Sequence, residues 1–391
     1  MPLAGVLVVD VTTTLLGPYC TLILAQLGAD VVKIEAPEGD PLRGIDAASD
    51  NGMSSMFVTL NRGKRSVVLD LKDEDGRAAL LQLAAGADVF IHNTKPDTAV
   101  RLGIDYATIA AANERIVHCA AIGFGSDGPY AKKPAYDDII QAASGVASLQ
   151  GYVTGTPEYV RSAIGDKTSA LFAVQAILAA LLHRYRTGEG QAVEVPMFEA
   201  LVSFVLVEQL GGMVFEPPRG PMRYPRTVSR YRRPFQTADG FLAVMPYTDR
   251  QWLKLFDVLG AAELAVDERF STIGGRTANI DELYQLVEAS FVARSADTWV
   301  EMLDERGVPC MRINSLEDLF ADPHLHAVGM FEVAPDAAGD LVRSVRSPLA
   351  FSKSTPNQLR DAPRLGQHTD EILRTLAHGG NAAENWSEQQ G

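Results

Sequence analysis

"GVLVVDVTTTLLGPYCTLILAQLGADVVKIE" (residues 5–35) decides the fold. "VLVVDV" (6–11) is short and nearly all apolar, the pattern of a strand covered on both faces. Gly17-Pro18 open a periodic apolar stretch that runs to Leu27, Gly28 ends it, and "ADVVKIE" (29–35) reads as the next strand. Strand, helix and strand in so few residues form a βαβ unit. That unit calls for an α/β fold built on a parallel, doubly wound sheet.

The same alternation continues downstream. "KRSVVLDL" (64–71) is a third strand, "DEDGRAALLQLAAGA" (73–87) a helix, "DVFIHN" (88–93) a fourth strand, and "TIAAANERIVHCAAIGFG" (108–125) a helix and a fifth strand. From about 166 come a long apolar helix, a turn, the strand "AVEVPM" (192–197) and the helix "FEALVSFVLVEQLGG" (198–212). The Pro/Arg-rich "EPPRGPMRYPRTVSRYRRPF" (216–235) reads as a linker. Beyond it, "FQTADGFLAVM" (235–245) reads as a hairpin turning at Asp239-Gly240, with amphipathic helices near 249–260, 281–293 and 296–306. The expected organisation is a large Rossmann-like domain over 1–200, completed by 330–391. A linker at 201–225, a smaller α+β domain at 226–320 and a return linker at 321–340 complete it. A return strand is expected within 342–356, and disorder from about 377.

The 391 residues are 47% hydrophobic and 21% charged, enough to bury a core without staples. A net charge of −14 argues against general nucleic-acid binding but leaves room for an anion held by local cations. Three scattered cysteines, Cys20, Cys119 and Cys310, supply neither a disulfide framework nor zinc spacing. The start has no signal-peptide pattern, and "AVQAILAALL" is too short to span a bilayer. A cytoplasmic protein that takes no membrane or nucleic-acid partner is expected.

The first βα turn, Thr13-Thr14-Leu15-Leu16-Gly17-Pro18, lacks the glycines that let a backbone approach a pyrophosphate, although Glu35 sits where a ribose-binding acid would. A literal G-x-G-x-x-G at Gly123–Gly128 follows a strand but precedes Pro129 and Lys132, not a helix, and reads as a pocket wall at the ligand edge of the sheet. His324 and His326 lack an acidic or Cys partner, so no metal site is expected. Ser144 and Ser169 lack a nucleophile elbow. Lys72, Lys95 and Arg101 follow the third and fourth strands, whose ends share one sheet edge, so all three could meet a polyanion. The arginines over 219–233 could clamp a carboxylate or simply charge a linker. Asp166, before the long apolar run, reads as a helix cap and, compatibly, as a nucleophile kept ionised by the helix N-terminus.

Six stretches together resemble the family III CoA-transferases, and they cover nearly the whole chain. They are the opening βαβ with "APEGDPLRG", "NRGKRSVVLDLK", "ADVFIHNTKPDTAVRLG", "PAYDDIIQAASG", "AIGDKTSALFAVQAILAALLHRYRTGEGQAVEVPM" and "GVPCMRINSLEDLFADPHL". The resemblance implies an interlocked homodimer and an enzyme that moves CoA from an acyl-CoA to a carboxylic acid. Acyl-CoA is then a substrate, and no cofactor is permanently bound. Asp166 would be the nucleophile, passing through an aspartyl-CoA thioester. CoA contacts would fall on Leu15, Leu16, Leu69, Asp70, Leu71, Lys72, Asn93, Thr94, Lys95, Arg101, Lys133, Pro134, Ala135 and Tyr136. Leu15 stands where the formyl-CoA enzyme has Gln, Ala36 where an Arg contacts the adenosine phosphate, and a glycine run is absent before "PFQTADG"; these departures count against oxalate and formyl-CoA. The related α-methylacyl-CoA racemases, the alternative reading, have His where this chain has Tyr136, and racemisation needs two acid/base groups.

Overall fold

The computed structural model describes residues 1–46, 52–336, 339–354 and 359–377. The tail beyond 377, expected to be disordered, lies outside the described residues. The chain forms two compact units, one of Met1–Val146, Tyr159–Phe204 and Ala327–Gly391, the other of Ala147–Glu158 and Val205–His326.

The first unit is built on six parallel strands: β1 (Leu7–Val11), β2 (Asp30–Glu35), β3 (Lys64–Val68), β4 (Val89–His92), β5 (Val117–Ile122) and β6 (Gln191–Pro196). Their spatial order is β3-β2-β1-β4-β5-β6, the order of a doubly wound nucleotide-binding sheet. The central strands are buried end to end because helices cover both faces; β6, at the edge, alternates. One face packs the helices Leu16–Gln26 and Ile164–Thr187 on the sheet through Cys20, Leu24, Ala170, Ala173 and Ile177. The other packs the helices Glu74–Ala85, Tyr106–Ala112 and Thr369–Ala377 through Leu80, Leu83, Ile109 and Ile372.

The Ile164–Thr187 helix is long and apolar enough to cross a membrane by composition, and its small residues seat one side of it in the core against the sheet. Beside β3, residues 366–369 cover the open edge. His368 N donates to Ser66 O at 2.9 Å, and Val68 N donates to Thr369 Oγ1 at 3.0 Å.

The expected return strand does not join this sheet. Residues Leu341–Val345 form β11, antiparallel to β10 (Phe331–Pro335), in a separate two-stranded ribbon, and 346–354 are irregular. Pro348 removes a ladder donor just after β11, which accounts for the early stop.

In the second unit the expected hairpin is β7 (Phe235–Gln236) and β8 (Phe241–Val244), extended by an antiparallel third strand, β9 (Cys310–Arg312). The helices Asp249–Leu259, Ile280–Phe291 and Ala296–Arg306 lie within a residue or two of expectation. Their apolar faces meet in a core of Trp252, Phe256, Tyr284, Phe291 and Trp299. The Met197–Gln209 helix runs across the division at 204.

Candidate active site

The strand order reverses between β1 and β4, so a crevice opens outside their C-terminal ends, where open α/β sheets take their ligands. The turn after β1 is held across that crevice by Asn93. Its Oδ1 accepts from Thr13 N at 3.1 Å and its Nδ2 donates to Thr13 O at 2.8 Å. Thr14 has φ +70°, the left-handed region that a β-branched residue rarely enters. Gly17 opens the next helix because a Cβ there would lie 2.1 Å from Thr12 Cβ.

Lys72, Lys95 and Arg101 are exposed, and none makes a side-chain ion pair among the described residues. Lys72 follows β3 and Lys95 follows β4, on one edge of the sheet and three strand spacings apart, about 14 Å. An extended polyanion can span that distance. Asp70 shapes the first of these loops, its Oδ1 accepting from Lys72 N at 2.9 Å. Thr94 N donates to His92 Nδ1 at 3.2 Å. Leu16 and Leu69 are buried and Leu15 and Leu71 pack partly into core clusters, so these four offer a ligand mainly backbone.

Lys133, Pro134 and Tyr136 are exposed and Ala135 is half-buried; the Lys133 ammonium lies 3.9 Å from the centre of the Tyr130 ring. This strip packs on the glycine loop, for a Cβ on Gly123 would come within 2.1 Å of Ala135 Cβ. Two of the loop's amides are engaged by carboxylates. Gly125 N donates to Glu199 Oε1 at 3.0 Å and Ser126 N to Glu194 Oε1 at 2.9 Å.

Asp166 does not cap its helix. Helix Ile164–Thr187 starts two residues earlier, and Asp166 stands in its first turn. The capping role falls to Asp137, at the start of the helix Asp137–Ala143, whose Oδ1 accepts from Asp166 N at 2.9 Å. Gly165 makes this approach possible, because a Cβ there would lie 3.1 Å from that oxygen. Asp137 Oδ2 accepts from Gln141 Nε2 at 2.6 Å, and buried Gln141 in turn accepts from Val160 N at 2.8 Å. The segment leading into Asp166 is thus tied down from a neighbouring helix. The Asp166 carboxyl itself makes no hydrogen bond or ion pair among the described residues. Burial and the nearby Asp137 charge push it up to about 7. Burial first and the Asp137 charge second thus work against the ionised form that a helix N-terminus favours.

Sequence reasoning passed over Asp137, because paired acids at a helix start are what any first turn favours. Glu35 cannot serve a ribose. It is buried and grips Arg43 through Nε at 2.8 Å and Nη2 at 2.7 Å, with Ser66 Oγ at 2.6 Å. Beneath the β1 turn lies a buried set of charges. Asp10 takes Thr12 N, Thr21 Oγ1 and Lys64 Nζ, and Lys33 Nζ pairs with Asp40 Oδ2 at 2.8 Å. Burial works against ionised Asp10, but Lys64 and Lys33 outweigh it and hold the carboxyl below its ordinary range.

His92 and His118 pack in the core with their rings tilted 59° and 5.1 Å apart, and burial lowers both and takes His92 down to about 3, so they are neutral packing groups. No cluster of three or more metal-binding side chains occurs among the described residues.

In the second unit, the arginines over 219–233 are mostly engaged locally. Arg219 lies on Phe215, Arg223 on Tyr152, Arg226 Nε donates to Tyr284 Oη at 3.2 Å, and Arg233 pairs with Glu288 at 2.9 Å.

The family model of CoA-transferase family III matches residues 3–369. The chain belongs to the family III CoA-transferases. Similar curated proteins include the succinate–glutarate CoA-transferase of Agrobacterium fabrum, 33% identical and covering 96% of each chain. The succinyl-CoA:mesaconate CoA-transferase of Haloarcula hispanica is 33% identical over 94% of each, and the acetyl-CoA:oxalate CoA-transferase of Acetobacter aceti 37% over 79% of each. A CaiB/BaiF family protein from Brucella suis shares the structure with a TM-score of 0.81 at 34% identity, covering 96% of this chain and 99% of that one. A Mycobacterium tuberculosis protein gives 0.82 at 27% identity, covering 95% and 99%. This family III CoA-transferase is therefore an enzyme whose class uses CoA thioesters as substrates.

Proposed function

We propose that this CoA-transferase moves CoA from an acyl-CoA to a dicarboxylic acid through Asp166. The observation that carries the reading is a carboxyl with no hydrogen-bond or ion-pair partner among the described residues, half-buried in the first turn of the long helix and set there by Asp137. Ionised Asp166 attacks the thioester carbonyl, the C–S bond breaks, and CoA thiolate leaves a mixed anhydride. The thiolate attacks the aspartyl carbonyl, expels the donor acid and forms an aspartyl-CoA thioester. The acceptor carboxylate attacks that thioester, and the same two steps in reverse return Asp166 and release the new acyl-CoA. Anhydride and thioester are close in reactivity, so neither intermediate is a trap. Lys72, Lys95, Arg101 and the 133–136 strip would hold CoA along the edge of the large unit, with Leu15, Leu16, Leu69, Asp70, Leu71, Asn93 and Thr94 shaping its floor. The dicarboxylate class rests on the succinate, glutarate and mesaconate in the relatives' names. An interlocked homodimer is part of the same reading.

Intact-protein mass spectrometry tests it. After mixing with succinyl-CoA, borohydride or hydroxylamine should trap a modification on the peptide holding Asp166, and Asp166→Ala should lose it. No adduct with any acyl-CoA, together with deuterium exchange at the α-carbon of a branched one, would transfer the chain to racemase chemistry.

A further inference from the structure

The turn Thr12–Thr14 at the β1/β4 crevice is fixed at every backbone polar group from Thr12 N to Thr14 N. Thr12 N donates to Asp10 Oδ1 at 2.9 Å, and Lys33 Nζ donates to Thr12 O at 2.8 Å. Asn93 takes both Thr13 groups, and Thr14 N donates to Asp40 Oδ1 at 3.3 Å. Lys33 and Asp40 pair at 2.8 Å with both side chains fully buried, while Thr13 and Thr14 face solvent. Asp40 Oδ1 also accepts from Leu42 N at 2.9 Å, so the 40–44 turn and the 12–14 turn share one acceptor. Nothing in "TTT" favours a left-handed residue. Thr14 at φ +70° persists only because its surroundings over-determine it, and such strain gathers where ligands are clamped. The tight approach of Gly17 to Thr12 closes off relaxation toward the helix.

We propose that the buried Lys33–Asp40 pair is a positioning device that holds Thr14 in its left-handed shape and so sets the crevice floor on which the acyl-CoA lies. This rests on the reading of that crevice as the CoA site. The pair touches no substrate; it acts through the backbone of the turn.

The test uses Lys33→Met with Asp40→Asn, which removes both charges together while Asn keeps an acceptor for Thr14 and Leu42. Succinyl-CoA and glutarate are the assay pair, and calorimetry with free CoA gives a readout that needs no turnover. The double variant should raise KM for succinyl-CoA and Kd for CoA about tenfold, as a small misplacement does, while KM for glutarate stays unchanged. Adding Thr14→Gly, which adopts φ +70° without strain, should restore most of the lost affinity. Unchanged CoA affinity in a folded double variant overturns the proposal. So does a rise in both KM values together with a fall in kcat that Thr14→Gly does not rescue, since that marks general structural damage. If the unaltered protein binds no CoA, the site reading itself has failed.

Discussion

Asp166 must be ionised to attack, yet burial first and the Asp137 charge second push it up to about 7. The rate of trapping from succinyl-CoA should therefore rise with pH through about 7, and below that approach a tenfold loss per pH unit. Asp137→Asn keeps an acceptor for Asp166 N but removes the like charge, so the midpoint of that profile should move down. A profile that stays in place would assign the whole shift to desolvation. The same residue carries a stability cost. A carboxyl raised in the folded state binds its proton more tightly there, so its favourable contribution is complete below its unfolded value and is lost as pH rises through about 7. Asp166→Asn should thus gain on the order of 2–4 kcal/mol at pH 8 in urea denaturation while abolishing trapping, and little at pH 4. Equal gains at both values would mean that the charge is not the cause.

At the scale of elements, the first βα junction has no slack. A Cβ on Gly17 would lie 2.1 Å from Thr12 Cβ, and that threonine is itself fixed by Asp10 and Lys33. Gly17→Ala must shift the helix start or the turn, an overpacking cost of about 1–3 kcal/mol. The expected outcome is a lower denaturation midpoint together with weaker CoA binding, read by calorimetry. Gly44→Ala, with nothing within 4 Å of the added Cβ, is the matched control and should change neither. The glycine loop 123–128 carries a literal G-x-G-x-x-G without the helix a phosphate cradle needs, and Glu194 and Glu199, distant in sequence, take its Gly125 and Ser126 amides.

For the whole molecule, the described surface leaves large apolar side chains open, among them Tyr185, Val207 and Leu316, each more than three-quarters exposed. The proposed interlocked dimer would cover such side chains with a second copy. Sedimentation should then give a dimer. Two differently tagged preparations mixed after folding should not exchange subunits until they are unfolded together; rapid exchange would show an ordinary docked dimer. The large unit is itself closed by distant segments, since residues 359–377 pack on β3 and the second face of the sheet.

The sequence by itself determined the parallel sheet, its six strands, the helices of the second unit and the candidacy of Asp166. These are written in local periodicity, and strands such as "VLVVDV" can be satisfied only by burial on both faces. Only the tertiary structure decided what each polar group faces. It put Asp137 rather than Asp166 at the cap, gave Glu35 to Arg43, set Glu194 and Glu199 on two amides of the glycine loop, and paired Leu341–Val345 with β10 in a ribbon. Hydrogen bonds and desolvation depend on which distant segments meet, and no local pattern of residues encodes that.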